Sequence, residues 1–469
     1  MRQRKRSAAR PGVARKKLEA YRRMMGEVPS PCIGVCRFGD DGETCIGCHR
    51  RDDEISGWFY YDDNERRAVL KRAERRHEQQ RRLMRAAMPQ TKAPQLSPSG
   101  DPWLLTPGPL TTSPTVKAAM LHDYGSRDAR FIAMNAGIRR RLCALAGGDG
   151  CTCVPLQGSG TFTVEAMLGT FVGGGEKILL LVNGAYGRRM AAVCARQGIA
   201  FAAMEWREDR PVDAAEVDRR LAADGALTHV AVVHCETTSG VLNPLAAIAA
   251  CCARHGKKLL VDAMSTFGAL PLCAKTAPFT AVAASANKCL EGVPGLGFCI
   301  ARRGELAQCA GKCGALSLDL HDQWRAMEAG GQWRFTPPTH AVAALHRALD
   351  ELDAEGGVAG RGARYRDNCT ALVSGMRARG FATLLADEHQ APVIVTFLAP
   401  AHANFNFPKF YAALGERGFL IYPGKLTAAD TFRIGCIGRV DRAVIGAALA
   451  AVDEVLLQLG VDDCAPAAT

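Results

Sequence analysis

Lys288 stands where a charge is costly. It lies in SANKCLEGVPGLGF, residues 285–298, after an apolar run and before a glycine-rich turn. Desolvation there lowers a lysine pKa and frees the amine for imine chemistry; a surface lysine at a strand end is the competing reading. Asp262 closes the run KKLLVD, 26 residues earlier. An acid at that place can hold a protonated ring nitrogen, or simply cap the next helix. QGSGTFTVEAMLGT, residues 157–170, is a glycine-rich turn that runs into an amphipathic helix. The N–H groups of Ser159, Gly160 and Thr161, with two hydroxyls, suit a phosphate dianion; many such turns are only tight turns. Tyr186, in NGAYGRRM (183–190), occupies a strand-to-helix turn where its ring either stacks on a planar ligand or packs in the core. Arg433, in TFRIGCIG (431–438), sits within an apolar segment. Its guanidinium there meets carboxylate or phosphonate oxygens, or forms an internal ion pair.

An imine-forming lysine, an acid for a ring nitrogen and a phosphate cradle are together what pyridoxal 5'-phosphate requires. The elements that must position them follow from hydropathy. KILLLVN (177–183), THVAVVH (228–234), KKLLVDA (257–263) and FTAVAAS (279–285) are near-continuous apolar runs. Such runs fit strands covered on both faces, with crossover helices between them, in a mostly parallel sheet. From about residue 340 helical patterning dominates, followed by strand-like APVIVTFL (391–398) and TFRIGCI (431–437). The expected class is α/β: a large domain over 102–340, a smaller α+β C-terminal domain over 341–469, and a small Cys-rich helical domain ahead of them.

That N-terminal part differs in composition. Residues 1–90 hold 22 Lys and Arg against 13 Asp and Glu, a net charge of +9 out of the total +12. Residues 1–27 read as a basic, disordered tail, 28–88 as the Cys-bearing domain with a helix over 62–88, and 89–101, rich in Pro and Ser, as a linker. A basic arm can bind nucleic acid, but a solvated tail is the reading adopted, and no nucleic acid is expected as a partner. Cys32, Cys36, Cys45 and Cys48 have the spacing C-x3-C-x8-C-x2-C. Two close pairs suit a tetrahedral thiolate site for zinc, with an iron–sulfur cluster or free thiols as alternatives; His49 could replace one ligand. The other cysteines, such as Cys143, Cys194 and Cys299, sit singly in apolar stretches and read as small buried hydrophobes. No run is long enough to span a bilayer and the N-terminus lacks the features of a secretory signal, so a cytoplasmic protein is expected.

With these residues in hand, residues 103–455 resemble the class V aminotransferases of fold type I, and within them the transaminases of 2-aminoethylphosphonate and pyruvate. The resemblance is carried by LLTPGPLTTSPTVKAAM (104–120), LQGSGTFTVEA (156–166), NGAYGRRM, VHCETTSGVLNP (233–244), VDAMSTFG (261–268), SANKCLEGVPG, LSLDLHDQW (316–324), WRFTPPTH (333–340), YPGK (422–425) and FRIGCIG. It implies that Lys288 forms the Schiff base with pyridoxal phosphate and moves the proton between Cα and C4′. It implies that Asp262 pairs with the pyridinium, Ser159, Gly160 and Thr161 hold the phosphate, Tyr186 stacks on the ring and Thr238 lies near the ring hydroxyl. Thr336 is expected to reach the phosphate of a neighbouring subunit, making a homodimer with shared sites. Arg433 is expected to bind the acidic group of the substrate. The implied reaction turns 2-aminoethylphosphonate and pyruvate into phosphonoacetaldehyde and L-alanine. Because a phosphonate carries up to two charges, Arg127 in DYGSRDARF (123–131) is a candidate second cation; an ion pair with Asp128 or Asp123 is its rival role. An alanine–glyoxylate or serine–pyruvate aminotransferase shares the same lysine, aspartate and arginine. A cofactor-bound regulatory or nucleic-acid-binding protein is the alternative of another class. Residues 31–58, with the following WFYYDDNERRAVLKR, resemble DUF1289, a small bacterial family of unknown function, which supplies no activity.

Overall fold

A computed structural model of the chain describes residues 28–32, 38–39, 41–86, 94–148, 150–424 and 429–467. The basic segment 1–27, Cys36 and residues 87–93 of the expected helix end and linker lie outside the described residues. The chain divides into two compact units, Met1–Thr91 and Lys92–Thr469.

The first unit contains a short helix, Asp52–Gly57, and a long one, Asp63–Ala86. The long helix starts where its capping residues dictate. The backbone N–H of Glu65 donates to Asp62 Oδ1 at 2.8 Å, and the N–H of Asp62 donates to Glu65 Oε2 at 2.8 Å, which satisfies two donors reciprocally. Val69 and Ala73, four apart, are buried on its inner face. Buried Glu54 on the short helix receives Arg72 Nε at 2.7 Å and Arg76 Nη2, tying the two helices together.

The second unit is built on a seven-stranded sheet. Its strands in chain order are β1 (Cys151–Gln157), β2 (Lys177–Val182), β3 (Ala200–Glu205), β4 (His229–Val233), β5 (Lys258–Asp262), β6 (Ala281–Ser285) and β7 (Leu296–Arg302). They lie side by side in the order β1-β7-β6-β5-β4-β2-β3. All neighbours are parallel except β7, which runs antiparallel to both β1 and β6. The apolar runs are explained by what lies on each face. Leu179, Leu181, Val230, Val232, Leu259 and Val261 enter one core. The alternating residues Ile178, Leu180, Ala231, Val233 and Leu260 enter a second core on the other side. Each buried leucine or valine contributes about 1.5–3 kcal/mol of transfer free energy, so polar alternation is not tolerated in these strands.

The four strands expected from apolar runs are present. Three more were not expected, for identifiable reasons. β3 is an edge strand whose residues alternate between half-buried and exposed. β1 contains Pro155 but pairs only with β7, and an edge strand tolerates a residue without an N–H. β7 returns directly after the Lys288 turn without a crossover helix, giving the sheet its one antiparallel member.

Beyond the sheet, helices Thr339–Ala354 and Gly357–Ala378 lead to a three-stranded antiparallel sheet: β8 (Ile394–Leu398), β9 (Tyr422–Pro423) and β10 (Thr431–Gly435), in the order β8-β10-β9. Its core is aromatic, with Phe381 and Phe432 in ring contact with each other and each with Phe397 and Phe410. The segment Leu105–Thr106 runs against β10: Gly435 N–H donates to Leu105 O at 2.9 Å, and a Cβ on Gly435 would fall 2.4 Å from Thr106 O. Only glycine permits that approach.

Candidate active site

The carboxyl ends of β1, β2, β4, β5 and β6 converge on a cavity of about 370 Å³. Ligand sites of α/β sheets form at such strand ends. Ser159, Gly160, Thr161, Tyr186, Asp262 and Lys288 all line it. These residues are widely spaced in sequence, and the sheet gathers them because each stands at or just beyond the carboxyl end of a strand, and those strands all run in the same direction.

Lys288 lies in the turn between β6 and β7. Its Nζ donates to Pro107 O at 2.7 Å and to Gly108 O at 3.1 Å. A Cβ at Gly108 would fall 2.7 Å from that nitrogen, and Gly108 has φ +106°, so the strap at 107–108 requires glycine twice over. Burial holds the Lys288 amine down to about 8. That setting raises the fraction of neutral, nucleophilic amine near neutral pH well above that of a lysine in water.

Asp262 ends β5 and is buried. Burial pushes its carboxyl up to about 6, opposed by the hydrogen bond from Met264 N–H at 3.0 Å. The backbone N–H of His234 donates to Asp262 O at 2.8 Å, holding the strand end. The His234 ring shares a hydrogen bond with Thr266 Oγ1 at 2.9 Å, and burial keeps its pKa down at about 4. Asp262 is thus a buried acid with one hydrogen bond and no ion pair among the described residues, and a cationic ring nitrogen would complete it.

The cradle is the turn from β1 into helix Gly160–Phe171. The first-turn N–H groups of that helix have no intrahelical partner, and the Ser159 side chain makes no capping bond. Gly160 packs on Met264: a Cβ there would fall 2.6 Å from the sulfur. Thr161 Oγ1 accepts from Arg189 Nη1 at 3.1 Å, and the Arg189 guanidinium lies 4.9 Å from the Tyr186 ring centroid. Arg189 lines the cavity as well. Ser285 Oγ, on the cavity wall, is buried with no hydrogen-bond partner among the described residues. N-terminal helix N–H groups, unused hydroxyls and a cation form a site for an anionic group.

Arg433 is buried on β10. Its Nη1 donates to Thr237 O at 2.8 Å, and Nε and Nη2 donate to Pro423 O at 3.2 and 2.8 Å. Its guanidinium also lies over Tyr422, 4.9 Å from the centroid. No carboxylate comes within ion-pair distance among the described residues, so the internal ion pair weighed as its alternative role is absent. Burial lowers its pKa. Three donors are taken by carbonyls; a guanidinium has five.

Other expected residues lie elsewhere. Thr238 is buried beside the site, its hydroxyl donating to Glu236 Oε1 at 2.7 Å. Thr336 and Arg127 are exposed and do not line the cavity of their own chain. The carboxylates weighed as partners for Arg127 pair elsewhere, Asp128 with Arg130 and Asp123 with His340, both at 3.4 Å. Cys45 is buried, Cys48 half-buried and Cys32 exposed, and Cys48 Sγ accepts from Arg50 Nε at 3.3 Å. Among the described residues these three thiols are not gathered into one ligand shell. Sequence reasoning did not single out Arg189, Glu236, Ser285 or the 107–108 strap. Arg189 and Glu236 stood inside motifs already recognised, but nothing local marks which way they turn.

A sheet that presents lysine, aspartate and a phosphate-type cradle at its strand ends is the framework of an aminotransferase. Residues 156–441 match the family Aminotransferase class-V, and residues 30–77 match a protein family of unknown function, DUF1289. The chain belongs to the class-V aminotransferases. It is 52% identical over 364 residues to the 2-aminoethylphosphonate–pyruvate transaminase of Pseudomonas fluorescens, covering 77% of this chain and 99% of that one. It is 53% identical over 371 residues to the enzyme of the same name from Rhizobium meliloti, covering 79% and 97%. Among solved structures, ureidoglycine–glyoxylate aminotransferase from Bacillus subtilis superposes with a TM-score of 0.72 at 21% identity, covering 79% of this chain and 95% of that one. Pyridoxamine–pyruvate aminotransferase from Mesorhizobium loti gives 0.71 at 24%, covering 78% and 94%. These two establish the fold, fold type I.

Proposed function

We propose that the chain transfers the amino group of 2-aminoethylphosphonate to pyruvate, giving phosphonoacetaldehyde and L-alanine, with pyridoxal 5'-phosphate as cofactor. The observation that carries the reading is the buried Arg433, which has no carboxylate within ion-pair distance among the described residues and acts electrostatically on Lys288, in a chain half identical to transaminases of that name. When bound, the cofactor supplies an electron sink that acidifies the C–H bond next to the amine. Lys288 would hold it covalently and, with its amine near 8, accept and return the proton at that carbon. Asp262 would hold the proton on the ring nitrogen. Ser159, Gly160 and Thr161 would bind the phosphate, Tyr186 would cover the ring, and Thr238 would face its hydroxyl. Arg433 has two donors left for an anion, which suits the phosphonate of one substrate and the carboxylate of the other. Arg127 and Thr336 are exposed and outside the cavity of their own chain; the reading is a homodimer in which Thr336 reaches the partner's phosphate and Arg127 serves as the second cation for the phosphonate.

Two coarser readings accompany this one. Among the described residues no helix is long and apolar enough to cross a membrane, and a cytoplasmic setting is proposed. Cys32, Cys36, Cys45 and Cys48 are proposed as a zinc site on the strength of their spacing; metal analysis of the purified chain, with and without Cys45→Ser and Cys48→Ser, tests it. For the main reading, purified protein is supplied with 2-aminoethylphosphonate and pyruvate and alanine is measured. Absence of alanine, with alanine–glyoxylate exchange present, would replace it by the alternative aminotransferase.

A further inference from the structure

Glu236 is the carboxylate at the site to which the reading above assigns no task. It is fully buried, on the short strand that follows β4. Its Oε2 accepts from the backbone N–H of Tyr186 at 3.0 Å and of Gly187 at 3.4 Å. Its Oε1 accepts from Thr238 Oγ1 at 2.7 Å and from Thr238 N–H at 3.4 Å. The turn after β2 lies directly on it: a Cβ at Gly184 would fall 2.2 Å from Glu236 Cγ. No cation stands within ion-pair distance among the described residues. A buried carboxylate without a cation is expensive, and a core built only for packing does better with an apolar residue. What this one has instead is four donors, delivered by two loops about fifty residues apart in sequence.

We propose that Glu236 is a positioning residue of the cofactor site, its two oxygens tying the turn that carries Tyr186 to the turn that carries Thr238. The proposal rests on the assignment of those two residues to the cofactor. One oxygen sets the start of the helix Ala185–Gln197 and with it the ring that covers the cofactor. The other takes the Thr238 hydroxyl proton, so that this hydroxyl can meet a ligand only as an acceptor. Burial pushes the Glu236 pKa up, and the four donors oppose it. Glutamine cannot replace it. Its single oxygen serves one loop, and its NH₂ then faces either backbone N–H donors or a threonine hydroxyl forced to reverse its polarity.

The test compares Glu236→Gln with wild type in the full chain. Pyridoxal phosphate affinity is titrated, the pH midpoint of the visible band of the lysine-bound cofactor is followed by absorbance and circular dichroism, and the cofactor-free protein is melted. The expected result is affinity weakened by about tenfold or more, a displaced midpoint, and a fall in kcat that is the same for every amino donor accepted. Wild-type affinity and midpoint would overturn the proposal, whatever the melting temperature does, since a merely structural role moves only the latter. If Glu236→Gln does not fold, Glu236→Asp decides. It keeps the charge but is one methylene too short to reach both loops; wild-type affinity and midpoint there overturn the proposal, and losses in both support it. The affinity and midpoint readouts use the cofactor alone, so failure to turn over 2-aminoethylphosphonate would sink the substrate reading without touching this one.

Discussion

At the scale of the residue, the site works by burying groups that prefer water and leaving them incomplete. Asp262 is the clearest case. Its carboxyl stands near 6 rather than 3.8 because burial penalises the charge. A raised folded-state pKa contributes stability that is fully present below 3.8 and is lost as pH rises through 6. At neutral pH the cofactor-free protein therefore carries a cost of about 3 kcal/mol at this position. Asp262→Asn should raise the melting temperature of the cofactor-free protein at pH 7–8, with the difference vanishing below about pH 4, while transaminase activity collapses. Equal melting at pH 8 would show that the carboxylate is compensated by something other than the cofactor. Lys288 carries the opposite sign: burial lowers its amine from 10.5 to about 8. The rate at which cofactor-free protein captures pyridoxal phosphate should rise as pH increases through 8 and then level off. Stopped-flow absorbance measures it, and a rise still continuing toward pH 10 would place the amine in water.

At the scale of the element, the turn that carries Lys288 is fastened to the helix Gly357–Ala378. Glu291, in the left-handed region at φ +60°, receives Arg364 Nη2 at 2.7 Å and Tyr365 OH at 2.5 Å. Arg361 Nη1 donates to Cys289 O at 2.7 Å, and Glu355 bridges Arg361 and Arg364. Arg364 also donates to Gly438 O and Val440 O, just beyond β10. One ion cluster thus joins the lysine turn to the segment that follows Arg433. Breaking a buried cluster by removing one charge leaves the others uncompensated, so Glu291→Gln should cost about 3 kcal/mol in denaturant unfolding. It should also spread the pH dependence of cofactor capture, because the turn is held less firmly. A loss below about 0.5 kcal/mol would mean that Glu355 alone suffices. The apolar strands were legible from sequence because burial on both faces leaves no choice of residue. Edge strands β1 and β3 were not, because one exposed face or one unpaired edge relaxes the pattern that sequence reading depends on.

At the scale of the whole molecule, the chain divides into two compact units with separate family matches. The transaminase relatives align over 97–100% of their own length but over only 77–79% of this chain. Protein reduced to Lys92–Thr469 should therefore fold, bind cofactor and keep kcat/KM within about twofold of the full chain. Loss of activity on truncation would assign the Met1–Thr91 unit a part in the transaminase. That unit is also where sequence reading stops: three of its four candidate thiols are described, and they do not converge on their own.

What the sequence by itself determined are the residues whose chemistry is local. Lys288, Ser159 and Tyr186 each follow a strand at a turn and Asp262 ends one, and a strand end followed by a turn is written in a dozen consecutive residues. Tertiary structure alone decided the rest. Arg433 meets Thr237 across 196 residues and Lys288 meets Pro107 across 181. Whether Arg433 lacked a carboxylate, whether Arg189 faced the cradle and whether Glu236 joined two loops depended on contacts between segments whose sequences carry no mark of one another. Local patterning specifies which groups stand at the strand ends; only the packed sheet specifies which of them meet.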